Sequence, residues 1–401
     1  MMNDEIREWV NGRRGEIIDL LSQCIATDSV TGNEGPLAEL CAEWLAAHGI
    51  EVIKQPCKGR NNILSVVGAG ENALVLSGHL DTVPPNEGEW KHGPWEPVVE
   101  DGKLYGLGAS DLHASMVGAY FASLFLKERQ LSGRLITAYT IEEETTGDGT
   151  RLMLDWAEET GFLDFKQTAC VVTEPTGLDH LCLGNRASSF LVLTVKGLGG
   201  HGSRPHLAKN PLPYLMEVLA GLRQLEAAWG ESSSDADFGK PTLTPTCVTA
   251  GDISRTNVIP EMARAVVDCR PTPRLWRNDL ELFRSELAEC LASFDRDGFE
   301  LTWEELYPRE GHKLDADHPL ADHVLSTLRD DLGFNQAEYR YTPAGNDAVY
   351  FALKGVPTVN KVGPGHPECA HRVNEFVAVE NVLLGVELYI RVALKHFEQP
   401  V

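Results

Sequence analysis

Metal-type side chains fall at recurring places along this chain. His79 and Asp81 follow an apolar run ending at Ser77, and Glu142, Glu143 and Glu144 follow one ending at Ile141. Glu174 comes just after Cys170–Thr173, and Asp111 just before a helical run that begins at Ala114. His371 lies beyond the strand-like Val356–Asn360 and the turn Gly363-Pro364-Gly365. Sheets of α/β proteins build ligand sites along the edge where their strands end. Two imidazoles and several carboxylates, with no cysteine among them, make a nitrogen–oxygen donor set suited to zinc, cobalt or manganese. A carboxylate left over from such a set can act as a general base in metal-assisted hydrolysis.

Each piece also has a plainer reading. Residues two apart in extended chain point the same way, so Asp81 can orient the His79 ring, but a polar loop after a strand looks the same. Asp111 is placed either to bind metal or to cap the helix that follows it. The Glu142–Glu144 run is a solvated charge cluster or a division of ligand and base roles. Rival chemistries fail on the residues. Gly106-Leu-Gly-Ala-Ser-Asp111 lacks the third glycine of a dinucleotide fingerprint, and there is no GxxxxGK[ST], HExxH or GxSxG.

These groups need a sheet to carry them. Asn62–Val67, Ala73–Ser77, Arg134–Ile141 and Thr168–Thr173 read as strands, and Pro36–His48 and 114–126 as helices, with one helical pattern running from Ile6 to Ile25. From about Phe190 the rhythm changes. A strand over 190–197, helices at Pro211–Ala228 and Leu280–Leu291, and a strand at Ala263–Asp268 surround a polar loop at 231–242. Helices at Pro319–Leu332, Ala348–Leu353 and Val377–His396 resume the first style. The expectation is an α/β fold of two domains, 1–185 plus 309–401 with 186–308 inserted.

The chain has 401 residues, 35 Lys and Arg against 59 Asp and Glu, and a formal charge of −24. That acidity argues against nucleic acid or an anionic membrane as partner. Nine scattered cysteines, without a C-x-x-C pair, fit a reducing compartment rather than a disulfide framework. The charged start and the lack of a long apolar run predict a soluble cytoplasmic protein.

Seven ordered segments carry a resemblance: 78–85 (GHLDTVPP), 101–118 (DGKLYGLGASDLHASMVG), 142–150 (EEETTGDGT), 173–176 (TEPT), 199–211 (GGHGSRPHLAKNP), 254–271 (SRTNVIPEMARAVVDCRP) and 363–375 (GPGHPECAHRVNE). Together they resemble the two-zinc amidohydrolase and exopeptidase family of acetylornithine deacetylase, succinyl-diaminopimelate desuccinylase and carboxypeptidase G. The resemblance implies a mixed-sheet, helix-covered zinc-exopeptidase-like catalytic domain with an inserted α+β lid that also dimerises. It implies two divalent ions, zinc first, bridged by Asp111, with His79 and Glu174 completing one site and Glu144 and His371 the other. Asp81 would hold His79, and Glu143 would be the general base that takes a proton from water to give a metal-bridging hydroxide. His201 would reach a neighbouring subunit's active site, and Asn257 and Arg270 would contact substrate or shape that site.

The implied activity is amide hydrolysis of a small N-acyl amino acid, foremost N-acetylornithine, as in arginine biosynthesis. Desuccinylation of succinyl-diaminopimelate and cleavage of a small dipeptide are the alternatives, and acyl-amino-acid binding without turnover is the non-enzymatic one. The chain departs from the family at His113-Ala114 and Arg186-Ala187, where relatives often carry Lys-Gly. His113 is expected either to touch substrate or to replace a surface cation.

Overall fold

The computed structural model describes residues 2–398. They divide into two compact units. One holds the chain up to Gly184, Lys313–Arg340 and everything from Asn346 on; the other holds Asn185–His312 and Tyr341–Gly345.

The first unit is built on a six-stranded sheet in the order Glu51–Cys57, Arg60–Gly68, Arg134–Thr140, Ala73–His79, Thr168–Val172, Thr358–Val359. The last four run parallel, and an antiparallel hairpin forms the opposite edge. Parallel strands are covered on both faces, which is why they read as continuous apolar runs. Ala73–His79 and Thr168–Val172 are buried along their whole length. Helix Ala114–Leu126 is buried at every position, because it lies between this sheet and helix Val379–Glu398. Met153, Leu154, Ala157, Ala348 and Phe351, from helices Asp148–Thr160 and Ala348–Leu353, pack on the other face against Leu64, Val75 and Ile136.

The N-terminal pattern differs from expectation. It folds as two helices, Met2–Gly12 and Arg14–Ala26, broken at Arg13 (φ −107°, ψ 10°). Gly12 and Gly15 flank the break, and glycine has the backbone freedom to let a helix stop there. Among the described residues no helix is long and apolar enough to cross a membrane, and all nine cysteines are free thiols.

The second unit is a four-stranded antiparallel sheet, ordered Thr242–Ala250, Met262–Arg270, Ser188–Lys196, Glu300–Arg309. Helices Pro211–Ser232 and Pro273–Ala292 pack against it through Leu215, Leu222, Phe283 and Leu287 on Leu193, Ala265 and Val267. The loop at 231–242 is not wholly surface: Phe238 is buried, its ring 5.2 Å from that of Trp276 and 4.9 Å from that of Tyr341. Tyr341 arrives on the short returning segment Tyr341–Gly345, which the sequence alone did not mark as part of this unit.

Candidate metal centre and active site

All four parallel strands deliver chemistry at the same edge of the first unit. His79 ends its strand, Glu142–Glu144 follow Thr140, Glu174 follows Val172, and the chain leaving Val359 reaches His371. Asp111 sits in the irregular turn Ala109–His113, whose backbone at Asp111 (φ −122°, ψ 89°) is not helical. The helix that follows has His113 at its N-cap and no side-chain cap, so Asp111 is not spent on capping.

Asp111 lies between the two histidines. Its Oδ1 is 3.4 Å from His79 Nε2, and its Oδ2 is 3.4 Å from His371 Nε2. Glu174 Oε1 is 3.5 Å from His79 Nε2, and Glu144 Oε1 is 2.9 Å from His371 Nε2. One carboxylate therefore offers one oxygen to each imidazole, and each imidazole has a further carboxylate of its own. Ligand atoms also cluster within 4.8 Å in two triads that share His79, one with Asp111 and Glu144, the other with Glu143 and Glu174.

The His79 tautomer follows from its partners. Nδ1 is 2.8 Å from the Asp81 carbonyl, which can only accept, so Nδ1 carries the proton and Nε2 faces the carboxylates. The orienting group is thus the Asp81 backbone; its carboxylate is 3.6 Å from the ring. That carboxylate instead accepts from Thr31 Oγ1 (2.8 Å) and from the N–H groups of Glu143 (3.1 Å) and Glu144 (3.2 Å). Asp81 therefore fixes the loop that carries the two glutamates.

The three consecutive glutamates have separate environments. Glu142, at φ 63°, turns away to Lys58, Arg60 and Thr146, and these partners hold its carboxyl below the ordinary range against the effect of burial. Arg60 also pairs with Glu34, which is fully buried and accepts from the Glu142 N–H. Glu143 is pushed well up by burial, Asp347 and Glu174. Glu144 is also raised, by burial first and with Asp111, although the bond to His371 pulls the other way. A buried carboxyl with a raised pKa beside metal-type ligands is suited to proton transfer.

The charge balance fits divalent cations. Asp81, Asp111, Glu143, Glu144 and Glu174 converge here, and buried Asp111 Oδ1 accepts no hydrogen bond. Burial opposes a charged His79 ring, yet Asp111 and Glu174 overcome it and raise the pKa well above the ordinary value. The bond to Glu144 raises His371 to about 9. Positive charge is thus favoured at both Nε2 atoms, where a metal ion replaces a proton when these nitrogens act as ligands.

The turn before His371 packs directly on the metal-type loops. A Cβ on Gly363 would lie 2.6 Å from the Thr173 carbonyl oxygen and 2.7 Å from that of Glu174. Gly363→Ala is therefore expected to lower stability by about 1–3 kcal/mol through overpacking. It should also displace Glu174, which a fall in both the melting temperature and the bound metal would show; unchanged values would refute the close approach.

His113 does not lie on the surface. It is buried, with its ring against Gly108, where a Cβ would meet Cε1 at 2.7 Å. Burial lowers its pKa to about 4, so it is a neutral core residue and not a replacement surface cation. Glu375 was not singled out from the sequence. It is buried, and its carboxylate accepts from the N–H groups of Gly108, Ser110 and Asp111.

The remaining candidates lie in the second unit. His201 and Asn257 are exposed and line one cavity of about 770 Å³ with Arg255. The Ser203 N–H donates to His201 Nδ1 (3.1 Å), which leaves the ring proton on Nε2. Arg270 is bound to Asp268 at 2.7 and 3.1 Å and reaches the Pro343 carbonyl at 3.4 Å. Arg186 donates to the Phe238 carbonyl.

Comparison with known proteins gives a consistent result. Residues 75–395 match the family described as Peptidase family M20/M25/M40. The chain is 30% identical to an acetylornithine deacetylase of Photorhabdus laumondii, covering 90% of this chain and 92% of that one. It is 28% identical to succinyl-diaminopimelate desuccinylase 2 of a Ruegeria species, covering 95% of each. Its fold is similar to that of an M20 family metallo-carboxypeptidase from Sulfolobus solfataricus (TM-score 0.75, 18% identity, 95% and 99% covered). A dinuclear metal-binding M20 peptidase from Bacillus subtilis is similar as well (TM-score 0.69, 14% identity, 97% and 100% covered).

Proposed function

We propose, for a chain that belongs to peptidase family M20/M25/M40, hydrolysis of the amide bond of a small N-acyl amino acid. Members of this family are metal-dependent amidohydrolases and peptidases, and this chain is one. Deacetylation of N-acetylornithine and desuccinylation of succinyl-diaminopimelate draw equal support from the relatives, and a small dipeptide is the third candidate. The observation that carries the reading is the placement of Asp111, with one carboxylate oxygen toward each of two histidines.

His79, Glu174 and Asp111 would hold one divalent ion, and Glu144, His371 and Asp111 a second, with zinc the first choice for this donor set and cobalt or manganese also compatible. Bound there, the ions supply Lewis acidity toward the acyl carbonyl and lower the pKa of water. Glu143 takes the proton from the attacking water and returns it to the departing nitrogen. Asp81 holds the Glu143 and Glu144 N–H groups, so base and ligand keep their separate directions. His201, with its proton on Nε2, is arranged to donate to a developing oxyanion. We assign it to the active site of a second subunit, with the inserted unit as dimer interface and Asn257 and Arg270 near the substrate. Strand Thr242–Ala250 supports this interface: it is an edge strand, exposed from Thr244 to Ala250.

Asp111→Ala is expected to reduce metal content at both sites, because Asp111 alone serves both. Two full equivalents by elemental analysis would exclude the bridging role. The function itself is tested by kcat/KM over acetylornithine, acetylcitrulline, succinyl-diaminopimelate and simple dipeptides with metal-loaded protein. One substrate should stand well above the rest. Tight binding of an acyl amino acid without release of amine from any of them would favour the non-catalytic alternative, against which the intact base Glu143 already argues.

A further inference from the structure

We propose that Glu375 is a positioning residue that sets Asp111 between the two histidines and joins the Asp111 loop to the His371 loop. The inference rests on the reading of Asp111 as the shared ligand and adds the group that holds it. Glu375 is 1% exposed. Its Oε1 accepts from Ser110 N (2.8 Å) and Asp111 N (2.9 Å), and its Oε2 from Gly108 N (3.1 Å). Three backbone donors converging on one carboxylate form an anion nest, and Gly108, at φ 79°, makes the bend that turns them inward.

Ser110 Oγ donates to the Phe376 carbonyl (2.8 Å) and Gly106 N to the Glu375 carbonyl (3.0 Å), so these contacts also run to Glu375 or its neighbour; Leu107 N on the Pro94 carbonyl (2.8 Å) and His366 N on Ser110 Oγ (2.9 Å) anchor the loop elsewhere. At its other end, Glu375 closes the segment that begins at His371. Asn86 Nδ2 donates to the His371 carbonyl (2.5 Å), Lys91 N donates to Asn374 Oδ1 (2.5 Å), and strand Phe376–Ala378 pairs with Lys103–Tyr105. One carboxylate therefore ties the segment bearing a ligand of one site to the turn bearing the ligand of both. A shift of the nest moves Asp111 relative to His371 and His79 together, so both ions should feel it.

Glu375→Gln tests this with little change in volume. The amide keeps one acceptor oxygen and places an N–H₂ group where one of the carboxylate oxygens now accepts. Partners of metal ligands typically contribute about 10–100-fold in affinity. Titration with Co(II) alone, followed by visible absorption and elemental analysis, should show both equivalents of the variant weakened by about that factor. The melting temperature of the chelator-treated variant should stay near that of the chelator-treated parent, which separates ligand positioning from general stability. Should the glutamine variant not fold, Glu375→Asp carries the same test, since it keeps the charge and withdraws the carboxylate by one methylene.

A folded variant that binds both equivalents with parental affinity and an unchanged spectrum overturns the inference. Asp111→Ala is measured alongside. If it loses metal while the Glu375 variants do not, only the role of Glu375 fails; if Asp111→Ala also keeps both ions, the shared-ligand reading fails first.

Discussion

Glu143→Ala is expected to keep both metal ions and bind substrate, yet lose about 10²–10⁴-fold in kcat, or more, because one group serves both proton transfers. The three neighbouring glutamates make the prediction sharp. Glu142 is held by Lys58, Arg60 and Thr146, and Glu144 lies 2.9 Å from His371, while Glu143 is pushed well up in pKa by burial, Asp347 and Glu174. Glu144→Ala should behave differently. It should weaken metal binding, and excess zinc should restore part of its activity, whereas zinc should do nothing for Glu143→Ala. Glu142→Ala breaks an ion network with Lys58 and Arg60 and should act mainly on stability and loop order. Metal analysis and kcat on the three variants decide the matter. Loss of zinc in Glu143→Ala, together with an inactive, metal-replete Glu142→Ala, would move the base to Glu142.

The site was legible in the sequence where residue type and strand rhythm coincide. Ala73–His79, Arg134–Thr140 and Thr168–Val172 are apolar because both faces are covered, and the first polar residues after such runs must lie at the sheet edge. That reasoning places His79, the Glu142–Glu144 run and Glu174. It says nothing about direction within the run, which depends on the positive φ of Glu142 and on Asp81 accepting two N–H groups. Glu375 was invisible for a related reason. Its partners are backbone groups of a loop distant in sequence, and such contacts leave no periodic trace. The burial of His113 was not legible either, because it depends on Gly108 leaving room for the ring. Strand Thr242–Ala250 hid because an exposed edge strand has no buried face to impose alternation.

Mixing His201→Ala protein with Glu143→Ala protein should restore activity that neither has alone. The prediction follows from where the two residues act. If His201 donates to the oxyanion in its partner's active site, the subunit with His201→Ala still has its own Glu143 and receives an intact His201 from the Glu143→Ala subunit. That site is complete, and the other site of the same dimer lacks both groups. In a symmetric dimer with free exchange and equal amounts, about half the dimers are mixed and one site in each works, giving about a quarter of parental activity per chain. Loss of one oxyanion donor typically costs about 10²–10³-fold in kcat, so the recovered signal stands far above either parent variant. The His201 geometry suits this role: it is exposed, and the Ser203 N–H occupies Nδ1 and leaves Nε2 to donate. Subunit exchange is followed with two differently labelled preparations. Exchange without recovered activity would place His201 in its own chain's site or outside catalysis. Recovery requires both a dimer and a shared site, since no arrangement within one chain can combine the two intact residues.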